Sequence, residues 1–388
     1  MTELVLLALF PVVAWGGWWF ARSTSRRSER KRNRLFNNQY FQGLNYLLNE
    51  QPDKALQVFM EMAEVNQDTV ETHLALGSLF RRRGEVDRAI RLHQNIISKH
   101  TLDDTQRLQA LLELGEDYMR AGLFDRAERL FSELTERESQ APSALRHLLD
   151  IYQQEKDWGK ALDIASRLEQ VTGERVAVLR SHFCCEMAQL ELDNGKPEAA
   201  RKQLKLARRF DPENVRVHFI EARIAEQGRH FAEAMAMYEA VARLDSGYLP
   251  LFLDRYFAIA EQAGEQARAQ STLDSWAEAR DGISVILKKA SILEREQGRD
   301  AAAAFLAGEL SASPSVRGLD KLMELRNASS ETPEATSLAL HDITRELLAT
   351  QPAWRCRHCG FSGQAHHWQC PSCKQWSTTR LIRGVLGE

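Results

Sequence analysis

The sequence predicts an all-α fold, a solenoid of antiparallel helix pairs, preceded by one transmembrane helix and followed by a small four-cysteine metal module. Its composition is globular, with 44% hydrophobic and 27% charged residues among 388, and this excludes a disordered, collagen-like or disulfide-scaffold chain. Only 8% of the residues are aromatic, and 21 Gly and 10 Pro leave few turn formers, which favours helices over strands. Two patterns, a recurring alanine and a doubled Cys-x-x-Cys, define the repeats and the metal module.

An uncharged apolar segment stands near the N-terminus. Residues 4–20 carry no charge and include three Trp near their end, as in the aromatic belt of a membrane helix. Seven Lys or Arg against one Glu follow in residues 22–34, whereas a cleaved signal peptide carries its basic residues before the apolar run. We therefore expect residues 1–21 to be a transmembrane helix, 22–35 a basic juxtamembrane segment, and the bulk of the protein to be cytoplasmic.

An internal repeat occupies the body of the chain, residues 36–326. Alanines recur at intervals of 34 to 39 residues: Ala55, Ala89, Ala127, Ala161, Ala200, Ala234, Ala269 and Ala303. Five residues before the alanine, five of the eight repeats have a glycine, where a turn between helices favours a positive φ. Small residues such as Gly77 stand twelve before the alanine, and rings such as Phe80 nine before it. One large and one small residue in facing positions let two antiparallel helices pack closely.

With this pattern, residues 36–310 resemble the tetratricopeptide repeat family, most closely from Leu76-Gly77 to Ala89. The resemblance implies stacked helix pairs whose first helices line a concave, protein-binding surface. It places these residues on the inner surface as candidates for partner binding: Ser78, Arg81, Glu116, Met119, Arg146, Asp150, Gln153, Gln189 and Arg223. The alternative for each is a solvated helix residue.

The strongest chemical signal lies in residues 354–388, after a linker and helix in 327–353. Cys356, Cys359, Cys370 and Cys373 form two Cys-x-x-Cys pairs separated by ten residues. Four thiolates complete a tetrahedral shell suited to one zinc or one iron, so the three nearby histidines are expected to be solvated loop residues. The module is too small to fold without its metal, and we expect its apolar residues to pack partly on the last helices of the array.

The two knuckles resemble those of rubredoxins, which hold a single iron, although Lys374 replaces the glycine after the last cysteine and the spacer is short. This resemblance leaves an electron-transfer or redox-sensing protein as an alternative. A basic zinc module that binds nucleic acid is a weaker alternative, because the five Lys and Arg can instead offset the charge of the thiolates. No nucleotide-binding, zinc-protease or serine-hydrolase motif is present, and we expect no enzyme activity.

The order of anchor, repeats and metal module resembles the lipopolysaccharide assembly protein B family along essentially the whole chain. The resemblance implies an adaptor in the bacterial inner membrane that regulates lipopolysaccharide biosynthesis. Its implied partners are a membrane-anchored ATP-dependent zinc protease and the deacetylase that commits precursor to lipid A, which the protease degrades. Other lipopolysaccharide-assembly proteins are further implied partners, and no nucleic acid is expected.

Overall fold

A computed structural model describes residues 41–43, 45–46, 51, 54–55, 57–58, 70–99, 102–137, 140–329 and 335–388. The chain divides into two compact units. The first unit comprises Met1–Asp157 with Gln170–Gly173, and the second comprises Trp158–Glu169 with Glu174–Glu388. The expected transmembrane helix, 1–21, and the basic segment, 22–35, lie outside the described residues.

The expected membrane localisation is contradicted. Across the described ranges, no helix combines the length and the apolar character that crossing a bilayer requires.

The predicted all-α repeat fold with a small C-terminal ribbon is confirmed. In the part of the first unit that the structure describes from Val70 onward, the helices are α1 (Val70–Arg82), α2 (Val86–Ile97), α3 (Asp104–Arg120), α4 (Phe124–Leu134) and α5 (Ala141–Glu155). Helix α6 (Trp158–Thr172) has most of its residues in the second unit. Consecutive antiparallel helices pack as pairs, α1 on α2 and α3 on α4, because each buries one apolar face.

The second unit continues with further helix pairs. Its helices are α7 (Ala177–Asp193), α8 (Pro197–Phe210), α9 (Val215–Gln227), α10 (Phe231–Leu244), α11 (Leu249–Ala263), α12 (Gln266–Glu278), α13 (Ile283–Gln297), α14 (Arg299–Ala312), α15 (Val316–Ser329) and α16 (Ala335–Thr350). A 3-10 turn, Ser246–Tyr248, stands directly before α11. Residues 327–329, at the start of the expected linker, belong to α15.

The repeat pattern corresponds to buried contacts and to turns. The first seven anchoring alanines, from Ala55 to Ala269, have no exposed surface. In the eighth repeat the buried residue is Ala302 and not Ala303, so the anchor predicted there is displaced by one position. All five turn glycines have a positive φ. In two repeats that lack the glycine, Lys156 and Arg229 also have a positive φ, each of 59°.

The chain ends in a three-stranded antiparallel ribbon. Strand β1 (Trp354–Cys356) lies between β2 (Ser362–Gly363) and β3 (Thr379–Leu381), with Arg355 opposite both Ser362 and Arg380. Because the strands have only two or three residues, little of the ribbon's stability comes from its sheet.

Candidate functional site

The ribbon brings its four cysteines to one point. All four Sγ atoms lie within 4.8 Å of one another, with Cys356 and Cys373 at 3.8 Å and Cys359 and Cys370 at 3.7 Å. Four sulfurs placed tetrahedrally at about 2.3 Å from one ion are about 3.8 Å apart. The four side chains therefore fit one tetrahedral metal ion, and their donor chemistry suits zinc or iron equally.

Two similar turns hold the sulfurs. In the first, the N–H of Gly360 donates to the carbonyl of Cys356 at 3.0 Å, and in the second the N–H of Lys374 donates to that of Cys370 at 2.9 Å. Gly360 has φ 80° and Lys374 has φ 59°, so lysine adopts the left-handed conformation that glycine supplies in the other knuckle. The departure from the rubredoxin pattern at Lys374 thus leaves the turn intact.

Local hydrogen bonds favour the thiolate forms of the first pair. Burial opposes ionisation of Cys356, but hydrogen bonds from Thr378 and from backbone N–H groups of Cys359 and His358 lower its pKa to about 6. The N–H of Phe361 lowers the pKa of Cys359.

The last cysteine behaves differently. The N–H of Gln375 favours the thiolate of Cys373, but burial and the neighbouring sulfurs raise its pKa to about 12. Several thiolates without a cation repel one another, so completing a four-thiolate shell requires a metal and releases protons.

The ribbon packs against aromatic side chains of the second unit. Trp376 stacks on His182 of α7, with ring centroids 4.9 Å apart, and meets Trp158 edge-on at 6.0 Å. Trp368 stacks on Tyr248 at 5.5 Å. The expectation that the ribbon packs on the last helices is thus wrong for its tryptophans. They lie against α6, α7 and the turn before α11, because the bulky aromatic partners stand there.

The histidines of this region are not all solvated. His358 is exposed, but His366 lies between Trp354 and Trp368, and burial with nearby cationic groups lowers its pKa to about 4. His182, which the sequence did not single out, is fully buried, and its Nε2 lies 2.6 Å from Ser377 Oγ. Burial, followed by the charge of Arg216, lowers the pKa of His182 to about 3, so the ring is neutral at physiological pH.

In the first unit, three of the predicted groove residues, Ser78, Arg81 and Glu116, lie in one polar cluster with two residues that the sequence pattern did not indicate, Glu113 and Asp117. Arg81 bridges Glu113, Glu116 and Asp117 at 2.7 Å each, and Ser78 Oγ donates to Glu113 at 2.8 Å. Asp117 is fully buried and also contacts His93 Nδ1 at 2.5 Å. The signal available in the sequence was an acidic residue at a core position of a helix.

The other predicted groove residues are less enclosed. Arg146 and Asp150 are exposed on α5, and Met119 and Gln153 are half-buried. In the second unit, Arg223 of α9 donates to Gln189 Oε1 of α7 at 2.5 Å, which links the first helices of neighbouring pairs.

Helix pairs of about 34 residues and a four-cysteine ribbon define a tetratricopeptide-repeat protein with a metal-binding module. A tetratricopeptide repeat family model matches residues 112–173 and 185–248, and one described as a rubredoxin metal binding domain matches residues 354–380. The chain belongs to the lipopolysaccharide assembly protein B family.

Two relatives establish this membership. Lipopolysaccharide assembly protein B of Escherichia coli strain K12 is 35% identical over 100% of both chains. The protein of the same name from Haemophilus influenzae is 30% identical over 98% of each. Among solved structures, a crystal structure of MamA protein is similar, with a TM-score of 0.33 and 16% identity, covering 47% of this chain and 95% of that one.

Proposed function

We propose that this protein is an adaptor that regulates lipopolysaccharide biosynthesis. It promotes degradation of the deacetylase that commits precursor to lipid A, by a membrane-anchored ATP-dependent zinc protease, and it organises other envelope-assembly enzymes. The observation that carries the proposal is similarity over the whole chain to proteins named for lipopolysaccharide assembly.

The architecture supports an adaptor role with no chemistry of its own. Stacked helix pairs present side chains from several first helices at once, which suits recognition of another protein. Four cysteines around one metal leave no open position for water or substrate. A closed metal centre of this kind favours a structural role, in which it helps to position the repeats for a partner protein.

A reconstituted degradation reaction tests the proposal. Purified protease, deacetylase and ATP are incubated with and without the full-length protein, and the half-life of the deacetylase is measured. We expect the protein to shorten that half-life and to be recovered intact. An unchanged half-life, with both partners shown to be active, would contradict the adaptor proposal.

Matched variants test whether the repeat surface recognises the partners. Arg146→Glu changes an exposed candidate groove residue on α5, and Arg129→Glu makes the same change at an exposed residue of α4, the second helix of its pair. We expect Arg146→Glu to weaken capture of a partner about tenfold while Arg129→Glu leaves it unchanged. Equal effects of the two variants would mean that recognition does not use the first helices.

The rubredoxin-type cysteine arrangement makes electron transfer a second candidate function. This candidate requires an iron centre with reversible changes in visible absorption, and loss of function when zinc replaces the iron. Full support of deacetylase degradation by the zinc-loaded protein would exclude it.

A further inference from the structure

The ribbon and the tail that follows it contact a regular set of positions in the second unit. At the knuckle end, Ser377 and Trp376 meet His182 in the second turn of α7. The guanidinium of Arg216, the second residue of α9, lies 5.7 Å from the Trp368 ring and 5.9 Å from that of Trp376. These contacts fall at the beginnings of two successive first helices.

The last strand of the ribbon and the residues after it contact the beginnings of further first helices. Arg380 donates to the hydroxyl of Tyr248, directly before α11, at 2.8 Å. The Glu388 carboxylate accepts from the N–H and hydroxyl of Ser284, at the start of α13, at 2.7 and 2.8 Å. It also pairs with Arg317, in the first turn of α15. Residues 354–388 thus touch the beginnings of α7, α9, α11, α13 and α15, and we call this segment the C-terminal strap.

The knuckle end of the strap depends on the second cysteine pair for its shape. The contacting residues Trp368 and Trp376 flank Cys370 and Cys373 in sequence, and the N–H of Ser377 donates to the Trp368 carbonyl at 2.9 Å. Lys374 and Ser377 both have a positive φ, which side chains rarely adopt without support. Holding the two sulfurs on one ion supplies that support, because it fixes the ends of this loop.

In a solenoid each helix pair contacts only its neighbours, so pairs can open one at a time. A segment bound to five pairs at once adds connections between pairs that do not touch. We propose that the C-terminal strap is a metal-dependent clamp that makes the helix pairs from α7 to α15 open and close as one cooperative unit. This inference is independent of which partners the repeats bind.

Hydrogen exchange of the full-length protein, measured by mass spectrometry, tests the clamp. The protein is compared loaded with zinc, stripped under reducing conditions, and reloaded. We expect stripping to speed exchange at the beginnings of α7, α9, α11, α13 and α15 by about tenfold or more, while α1 to α4 stay unchanged. Reloading should reverse the change. Unchanged exchange at all five helices, or equal acceleration in α1 to α4, would overturn the proposal.

Variants separate docking from metal binding. His182→Ala should retain one metal per chain but lose protection in α7 and α9, whereas His358→Ala, in the exposed part of the first knuckle, should change neither. Glu388→Gln should lose protection in α13 and α15, with exposed Glu346→Gln as its control. A metal-loaded His182→Ala or Glu388→Gln variant with wild-type protection would refute the clamp, even if the cysteine variants fail to fold.

Discussion

Replacing Gly77 by alanine is expected to destabilise the first described helix pair. A Cβ at Gly77 would lie 2.2 Å from Nε2 of His93, much closer than real side chains approach. The ring cannot easily move aside, because it is fully buried and its Nδ1 lies 2.5 Å from Asp117 Oδ2. Displacing it would leave a buried carboxylate with fewer partners.

The magnitude follows from three contributions. Overpacking a core position costs about 1–3 kcal/mol. Weakening a buried hydrogen bond to a charged group costs about 1.5–3 kcal/mol. Alanine favours the helix over glycine by about 1 kcal/mol, which offsets part of this loss. The expected net loss is about 3 kcal/mol.

Hydrogen exchange in α1 and α2 provides the assay. A loss of about 3 kcal/mol should speed the exchange of their protected amides about a hundredfold. The matched control is Gly308→Ala in α14, which is exposed and has no neighbouring atom within 4 Å of the added Cβ. This change should slow local exchange, because it gains about 1 kcal/mol of helix propensity. Similar exchange behaviour in both variants would refute the packing argument.

Three further predictions concern the metal, a buried histidine and a turn. Cys370→Ser should reduce bound metal well below one ion per chain in elemental analysis and unfold the ribbon while the first unit stays helical by circular dichroism; full metal occupancy would contradict this. Because burial holds the pKa of His182 near 3, against 6.5 ordinarily, the unfolded chain binds an extra proton between these values. Urea unfolding of the second unit should therefore become easier as pH falls from 6.5 towards 4, less so in His182→Gln; identical slopes would exclude this residue as the cause. Gly264→Ala, at φ 71° with open space around it, should cost about 1 kcal/mol in the same measurement, and no loss would show that the turn can change conformation.

The repeat positions were predictable because they reflect short-range requirements. A buried alanine and, five residues before it, a turn residue with positive φ recur at a fixed spacing, so the residue types found at these two repeat positions indicate both features. Lys156 and Arg229 show the limit of this signal. Once neighbouring pairs fix the turn, the left-handed conformation persists without glycine, and sequence alone does not identify it.

The four-cysteine centre was predictable from the spacing of the cysteines, but the surface on which the ribbon packs was not. The pairing of Trp376 with His182 joins residues almost two hundred positions apart, and nothing in either local sequence specifies the other. Both residue types are common in cores and at surfaces. Only the three-dimensional path of the intervening helix pairs brings them together.

The ion-pair cluster around Arg81 changes which groove residues are available to a partner in the first unit. Arg81 and Ser78 were expected to face a ligand, yet Arg81 bridges three carboxylates and its side chain is only 13% exposed. A ligand that engaged this guanidinium would have to break contacts to Asp117, which is fully buried, and leave its charge less compensated. Arg146 and Asp150 of α5 are exposed, so a partner can reach them without opening the cluster around Arg81, and recognition in this unit should depend on α5 more than on α1.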